Sequence, residues 1–260
     1  LIMNNKHTYF LLTFIVGWLA ASTASAAIIT NGGFEAGLTG WTAVNQVGGE
    51  GSFSLQTGTS SPIFGEVVQA PPEGIRAAMS DAGGPASHVL YQDFVVPAFA
   101  PGESAFVFTA SLYVGNRADR FATPSSLQFD LPDPGAAGFN QRARIDITLA
   151  GATNPFTLAP SDVIFNVFET AVGSALVSGY TPVNINLTTA LAGRTGQTLR
   201  LRFAEVDNLG PFQFGVDRID ITAVPEPSAA VLMVAVLMVM TCLLGTYRVA
   251  RFRFVWKRFA

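Results

Sequence analysis

The chain of 260 residues holds one cysteine, Cys242, and two histidines, His7 and His88. Cys242 falls in an apolar run near the C-terminus, so the polar body of the chain closes no disulfide and its stability must come from core burial or a bound ion. His88 is the one histidine of that body, which excludes a multi-His or Cys/His zinc cluster. Lysine is nearly absent as well: Lys6 and Lys257 stand at the two ends, and every basic residue between them and the terminal segments is arginine, for which we have no physical account. From Ala27 to Ser228 nine arginines face 18 acidic residues, a formal charge of −9. Such a surface repels phosphate backbones and argues against nucleic-acid binding.

The two ends are unlike the middle. Lys6 precedes an apolar run from Tyr9 to Ala21, and Ala24-Ser25-Ala26 supplies a small-x-small cleavage pattern. Residues 1–26 are therefore expected to be a secretory signal peptide, with Met3 the expected initiator and Ala27 the mature start. At the other end Val224-Pro225-Glu226-Pro227-Ser228 leads into an apolar stretch from Ala229 to Tyr247, followed by Arg248, Arg251, Arg253, Lys257 and Arg258 with no acid among them. About 19 residues at roughly 1.5 Å rise each match a bilayer core, so one transmembrane helix is expected over 229–247. The basic end should stay cytoplasmic and place everything upstream outside.

The ordered combination of Val224, Pro225, Glu226 and Pro227, a spanning stretch and a short arginine-rich end resembles the PEP-CTERM sorting signal of bacterial exported proteins. The resemblance implies a Gram-negative-type bacterium and an exosortase partner that removes the tail from a membrane intermediate and delivers the protein to the cell surface or extracellular matrix. The motif suits such handling physically, since two prolines remove amide donors and keep the segment extended.

Between the ends, Gly, Pro, Asn and Asp punctuate short β-branched and aromatic runs, the pattern of an all-β sandwich over 27–223. Strands are expected at 27–30, 52–56, 74–78, 89–96, 105–114, 127–130, 143–149, 163–169, 183–187, 199–206 and 215–222. Over 142–149, Ala143, Ile145, Ile147 and Leu149 alternate with Arg142, Arg144, Asp146 and Thr148. Leu199, Leu201 and Phe203 alternate with Arg200 and Arg202 in the same way, so these charges read as solvated strand faces. Irregular stretches at 116–126, 131–141 and 151–161 are where such a sandwich would carry a binding site.

Two segments at opposite ends of this body are familiar together. Asn31-Gly32-Gly33-Phe34-Glu35 with Gly40-Trp41, and 196–207 with Gly215-Val216-Asp217-Arg218-Ile219-Asp220-Ile221, resemble the opening and closing strands of galactose-binding-like jelly rolls, a class that includes many carbohydrate-binding modules. Tyr91-Gln92-Asp93-Phe94 resembles an inner strand of the same fold. The resemblance implies a jelly-roll ectodomain and a structural Ca²⁺ held by Glu35 and Asp217, with Asn31 or a carbonyl nearby; calcium takes six to eight hard oxygen ligands. It also implies that Trp41 packs into the core. Tyr113, Phe121, Phe139 and Tyr180 border expected loops and are the candidates for a sugar-stacking platform.

Catalytic signals are few. No serine has the context of a nucleophile elbow beside His88. Glu205 and Asp207, two residues apart on a strand, share a face, which is a weak glycosidase signal alone. The expected role is that of a non-enzymatic surface or matrix protein. Binding of exopolysaccharide or another glycan is the alternative, and a glycan-active enzyme a distant third.

Overall fold

The computed structural model describes residues 28–116, 121, 126–131, 137–174 and 177–225. The expected signal peptide, the stretch 229–247, and Glu226 and Pro227 lie outside the described residues. Among the described residues no helix is long and apolar enough to cross a membrane.

Among the described residues ten strands form two five-stranded sheets, and one four-residue helix, α1 (Thr188–Leu191), lies in one of the connections between them. The first sheet has the order β1 (Thr42–Asn45), β4 (Ala86–Val95), β9 (Thr198–Asp207), β6 (Gln141–Leu149), β7 (Val163–Glu169). The second runs β2 (Ser52–Gln56), β3 (Ala77–Ala82), β10 (Phe212–Pro225), β5 (Glu103–Gly115), β8 (Val177–Asn186). One compact body takes in Ala105–Val224 and the described residues up to Ala100, while the short segment Pro101–Ser104 falls outside it.

The core lies where the inward faces of the two sheets meet. Period-two alternation sends Leu90, Phe94, Ile145, Ile147, Leu199, Leu201 and Phe203 inward from the first sheet, against Phe53, Phe108, Phe212, Phe214 and Val216 of the second. Phe203 is its aromatic centre, with Trp41 at 5.8 Å and Phe108 and Phe214 each at 6.5 Å between ring centroids. Trp41 is buried as the resemblance implies, and its indole N–H donates to the Asn31 carbonyl at 3.1 Å.

A bulge keeps β10 in register with that core. Val216 and Ile219 both belong to it although two residues separate them, and Arg218 takes the left-handed conformation (φ 54°) that absorbs the extra residue. The opening segment docks on this bulge: the Ile219 amide donates to the Gly32 carbonyl at 3.0 Å. A Cβ on residue 32 would sit 1.8 Å from the Ile219 carbonyl oxygen, so only glycine permits the approach.

The strands at 52–56 and 163–169 are where the alternation places them, and the other expected strands from 89 onward overlap observed ones except 127–130. That segment is a turn-containing loop, the described part of 27–30 is not a strand, and β1 was not expected. The expectation of solvated arginine faces is overturned. Arg142 and Arg202 are 3% and 1% exposed, and Asp146 and Thr148 are equally buried. These side chains do point away from the sandwich core, but loops cover that outer face. A second apolar cluster forms beneath them, where Leu127 and Phe156 pack on Val89, Ala204 and Val206. On the outer side of the second sheet, the segment 57–76 covers a third cluster of Val68, Met79 and Tyr113.

Buried polar groups collect at one end of the sandwich interior. His88 Nε2 lies 2.9 Å from the Glu50 carbonyl oxygen and Nδ1 2.9 Å from Asn45 Oδ1, two acceptors of which the single N–H of a neutral ring serves one. Burial lowers its pKa to about 4, so it stays neutral. Glu205, paired in register with His88, is fully buried without an ion-pair partner among the described residues. Burial pushes its carboxyl well above the usual range; Ser80 opposes the shift, and Asp207 and Asp81 add to it. A carboxyl that folding keeps protonated lowers stability as pH rises from its ordinary value of 4.5 through its folded value. Glu205→Gln should therefore raise the urea midpoint near pH 8, with the gain vanishing near pH 4.5. A variant less stable than the unmodified protein at the higher pH would contradict this. His88 acts in the opposite sense, losing stability as pH falls below 6.5, which is why the comparison is made between variant and parent at each pH.

Candidate functional site

Two loops on the outer face of the first sheet enclose an open cleft of about 490 Å³. Ser126, Gln128, Asp130 and Leu131 line one side; Asn154, Phe156, Thr157 and Leu158 line the other. Both loops belong to or adjoin stretches whose Gly, Pro, Asn and Asp content marked them as irregular.

The first wall, 126–131, is held to the sheet by side chains. The Phe129 amide donates to Ser87 Oγ at 2.9 Å and to Gln46 Oε1 at 3.1 Å, and Gln46 Nε2 donates in turn to Asp130 Oδ1 at 2.5 Å. Fully buried Asn140 donates to the Gln128 carbonyl at 2.8 Å. Leu127 and Phe129 share a face as strand residues would and pack downward on the outer apolar cluster, but the segment pairs with neither described sheet.

The second wall is held by the arginines of β9. Arg202 Nη1 donates to the carbonyls of Pro155 and Thr157 at 2.9 and 2.8 Å, and its Nη2 donates to Asp146 at 2.5 Å. Arg200 stacks 3.7 Å over the Tyr91 ring, pairs with Asp93 and donates to the Ala150 carbonyl at 3.1 Å. Burial lowers the pKa of Arg202, with Asp146 opposing; pairing with Asp93 raises that of Arg200. Neither charge is left to attract an anion into the cleft.

Several polar groups at the rim remain available. The Gln128 side chain makes no hydrogen bond among the described residues, while the Ser126 hydroxyl oxygen accepts from the Gln128 amide and keeps its own proton to donate. Asn154 uses Oδ1 to cap the Phe156 amide at 2.9 Å, leaving its NH₂ group. Phe156, Leu131 and Leu158 supply apolar surface between them.

The aromatic residues proposed from sequence do not form this site. Tyr113 and Phe121 are 6% exposed, Phe121 packing edge-on to Phe212 and Tyr113 against Tyr180 under the 57–76 segment. Phe139 is half-buried and is not among the lining residues. The sequence marks the second loop as irregular but reads 127–130 of the first as a strand, and it singles out none of Gln128, Asn154 or Phe156; the Asn154-Pro155 turn signal is the trace available.

The proposed calcium ligands stand elsewhere and are engaged with amides. Glu35 Oε1 accepts from the Ile75 and Arg76 amides at 2.9 and 3.0 Å. Asp217 accepts from the Glu73 amide at 3.2 Å and from Arg218 at 2.7 Å. Asn31 donates to the Gly37 and Thr39 carbonyls at 2.8 and 3.0 Å, and its oxygen accepts from Ala36. The structure thus brings Glu35 and Asp217 to the same turn, 73–76, and uses both to hold it. Among the described residues no group of three His, Cys, Asp or Glu side chains is arranged to hold a metal, so an ion would have to displace these hydrogen bonds. Of the sorting motif, Val224 and Pro225 end β10 and the remainder is not described.

No protein-family model matches the chain, and no characterised protein matches it in sequence. Solved structures of similar architecture include a CBM61 module in complex with β-1,4-galactotriose, at 11% identity and a TM-score of 0.40, covering 76% of this chain and 99% of that one. A family 11 carbohydrate-binding module from Clostridium thermocellum is 10% identical, with a TM-score of 0.39 over 79% of this chain and 99% of that one. A Stig cyclase from Fischerella sp. TAU is 16% identical, with a TM-score of 0.43 over 78% and 99%. None of the three carries its chemistry over to this chain at such identity.

Proposed function

We propose that the cleft between 126–131 and 154–158 binds an uncharged glycan, and that the sandwich bearing it is an exported surface or matrix protein of jelly-roll type. The observation that carries the reading is the lining itself: unspent amide and hydroxyl groups of Gln128, Asn154 and Ser126 beside apolar Phe156, Leu131 and Leu158. A pyranose has the matching character, with hydroxyls at its edge and an apolar C–H face. Asp130 is the one charged residue among the described residues of the lining, and with a net acidic body it disfavours polyuronates. Glu205 and Asp207 do not line the cleft, whose described residues supply one carboxylate where glycoside cleavage ordinarily uses two.

Retention of the purified domain, 27–223, in affinity gels tests this. Suitable probes are β-1,4-linked galactan, mixed-linkage β-1,3-1,4-glucan and, as the polyuronate control, alginate. Binding to a neutral polymer is expected, with Gln128→Ala weakening it about tenfold, roughly 1.4 kcal/mol, at unchanged melting temperature. Equal mobility in every gel, or unaltered retention of the variant, would sink the proposal.

Export and tail processing rest on the sequence of the two ends. With Pro225-Glu226-Pro227 replaced by alanines, full-length protein should stay in the inner membrane of an exosortase-bearing host; an unchanged mature mass would refute the sorting role. A structural calcium at Glu35 and Asp217 rests on the Asn31–Glu35 resemblance, and identical melting with and without chelator would remove it.

A further inference from the structure

We infer that Arg202 is a positioning residue for the cleft, acting through the 150–161 loop rather than by touching a ligand. Its guanidinium divides its work between two nitrogens. Nη1 gives both hydrogens to the carbonyls that flank Phe156, and Nη2 holds Asp146 on the neighbouring strand. The fork therefore bolts one cleft wall to the sheet at the residue that supplies the apolar floor. Arg200 fastens the start of the same loop through Ala150, so two outward arginines of β9 govern a wall with little regular structure of its own. A lysine at 202 could keep the charge opposite Asp146, but one ammonium on a flexible stem cannot reproduce a rigid fork toward three acceptors. As a determinant of affinity this role rests on the glycan reading; as a determinant of loop position it does not.

Hydrogen–deuterium exchange read by NMR on the domain and on Arg202→Lys separates the two. In the unmodified protein the amides of Ala152, Phe156, Thr157 and Asp162, each hydrogen-bonded within the loop, should be protected well beyond random-coil rates. In Arg202→Lys their exchange should rise at least about tenfold while β4 and β9 amides near Leu90 and Phe203 keep their rates. Retention on galactan or mixed-linkage glucan should fall about tenfold in parallel. Unprotected loop amides in the unmodified protein overturn the inference even if the variant fails to fold. Equal acceleration across loop and sheet overturns it too, since that is the signature of a purely structural residue. Localised loosening in a protein that binds neither glycan leaves Arg202 as the bolt of the loop and rejects the glycan reading instead.

Discussion

Asp146→Ala is expected to destabilise the domain by about 3–5 kcal/mol, the range found when one member of a buried ion pair is removed. Asp146 is fully buried and accepts from Arg202 Nη2 at 2.5 Å and Arg144 Nε at 2.7 Å. Arg144 keeps a second partner in Glu169 at 2.8 Å and has some access to water, so it tolerates the loss. Arg202 does not, being 1% exposed with no other carboxylate against it in the described residues. Its burial already opposes the charged form, and Asp146 is the main compensation. Urea denaturation should show a lower midpoint with the slope unchanged. A loss under about 1 kcal/mol would mean that the two loop carbonyls alone sustain the buried cation. The double change Asp146→Leu with Arg202→Met should recover much of the stability, because it removes the charge rather than stranding it, yet it should leave the 150–161 loop unfastened.

That network also marks the limit of what the sequence discloses. Alternation over 142–149 and 199–203 assigns Ala143, Ile145, Ile147, Leu199, Leu201 and Phe203 to the core correctly, because the side-chain period of a strand is a local property, while Leu149, expected to face in, is 37% exposed at the end of β6. Whether the outward side is wet is not local. It depends on whether 126–131 and 150–161 fold back over it, and Leu127 and Phe129, which read as an alternating strand, are apolar for that purpose. β1 escapes notice for the converse reason: Thr42-Ala43-Val44-Asn45 is an exposed edge strand without a strong apolar rhythm. The cleft shares this difficulty. Its second loop is legible from the Gly, Pro and Asn content of 151–161 but its first wall is not, and the convergence of Gln128 with Asn154 requires Ser87, Asn140 and Arg202 to place two distant segments on one face. Asp217 and Glu35 are the intermediate case, since the resemblance brings them to one region and the fold does so too, with amides at their oxygens.

Asp81→Ala should cost about 2–4 kcal/mol and free the 57–76 segment from the second sheet. Asp81 is fully buried, and its carboxylate accepts from the Ile63 and Phe64 amides at 2.7 and 2.8 Å and from Gln213 Nε2 at 2.7 Å. Alanine leaves three donors without an acceptor, each costing on the order of 1–3 kcal/mol if it stays buried. The two loop amides can escape part of that cost by swinging into water, which caps the loss below the simple total and predicts where the structure opens. Phe64 should then leave Gly83, against which its ring packs so closely that a Cβ there would lie 2.8 Å from it. The far end of the segment has its own fastenings, with Asn116 on the Val67 carbonyl, Gln56 on the Gln69 carbonyl and Asp217 on the Glu73 amide. Opening is therefore expected at 61–66 and not beyond, with Met79 and Tyr113 still covered by Val68. Asp81→Asn, which keeps an acceptor oxygen but no charge, should lose roughly half as much. Exchange of the Ile63 and Phe64 amides is the deciding measurement: if both remain protected in Asp81→Ala, another acceptor holds the segment and the carboxylate is dispensable to it.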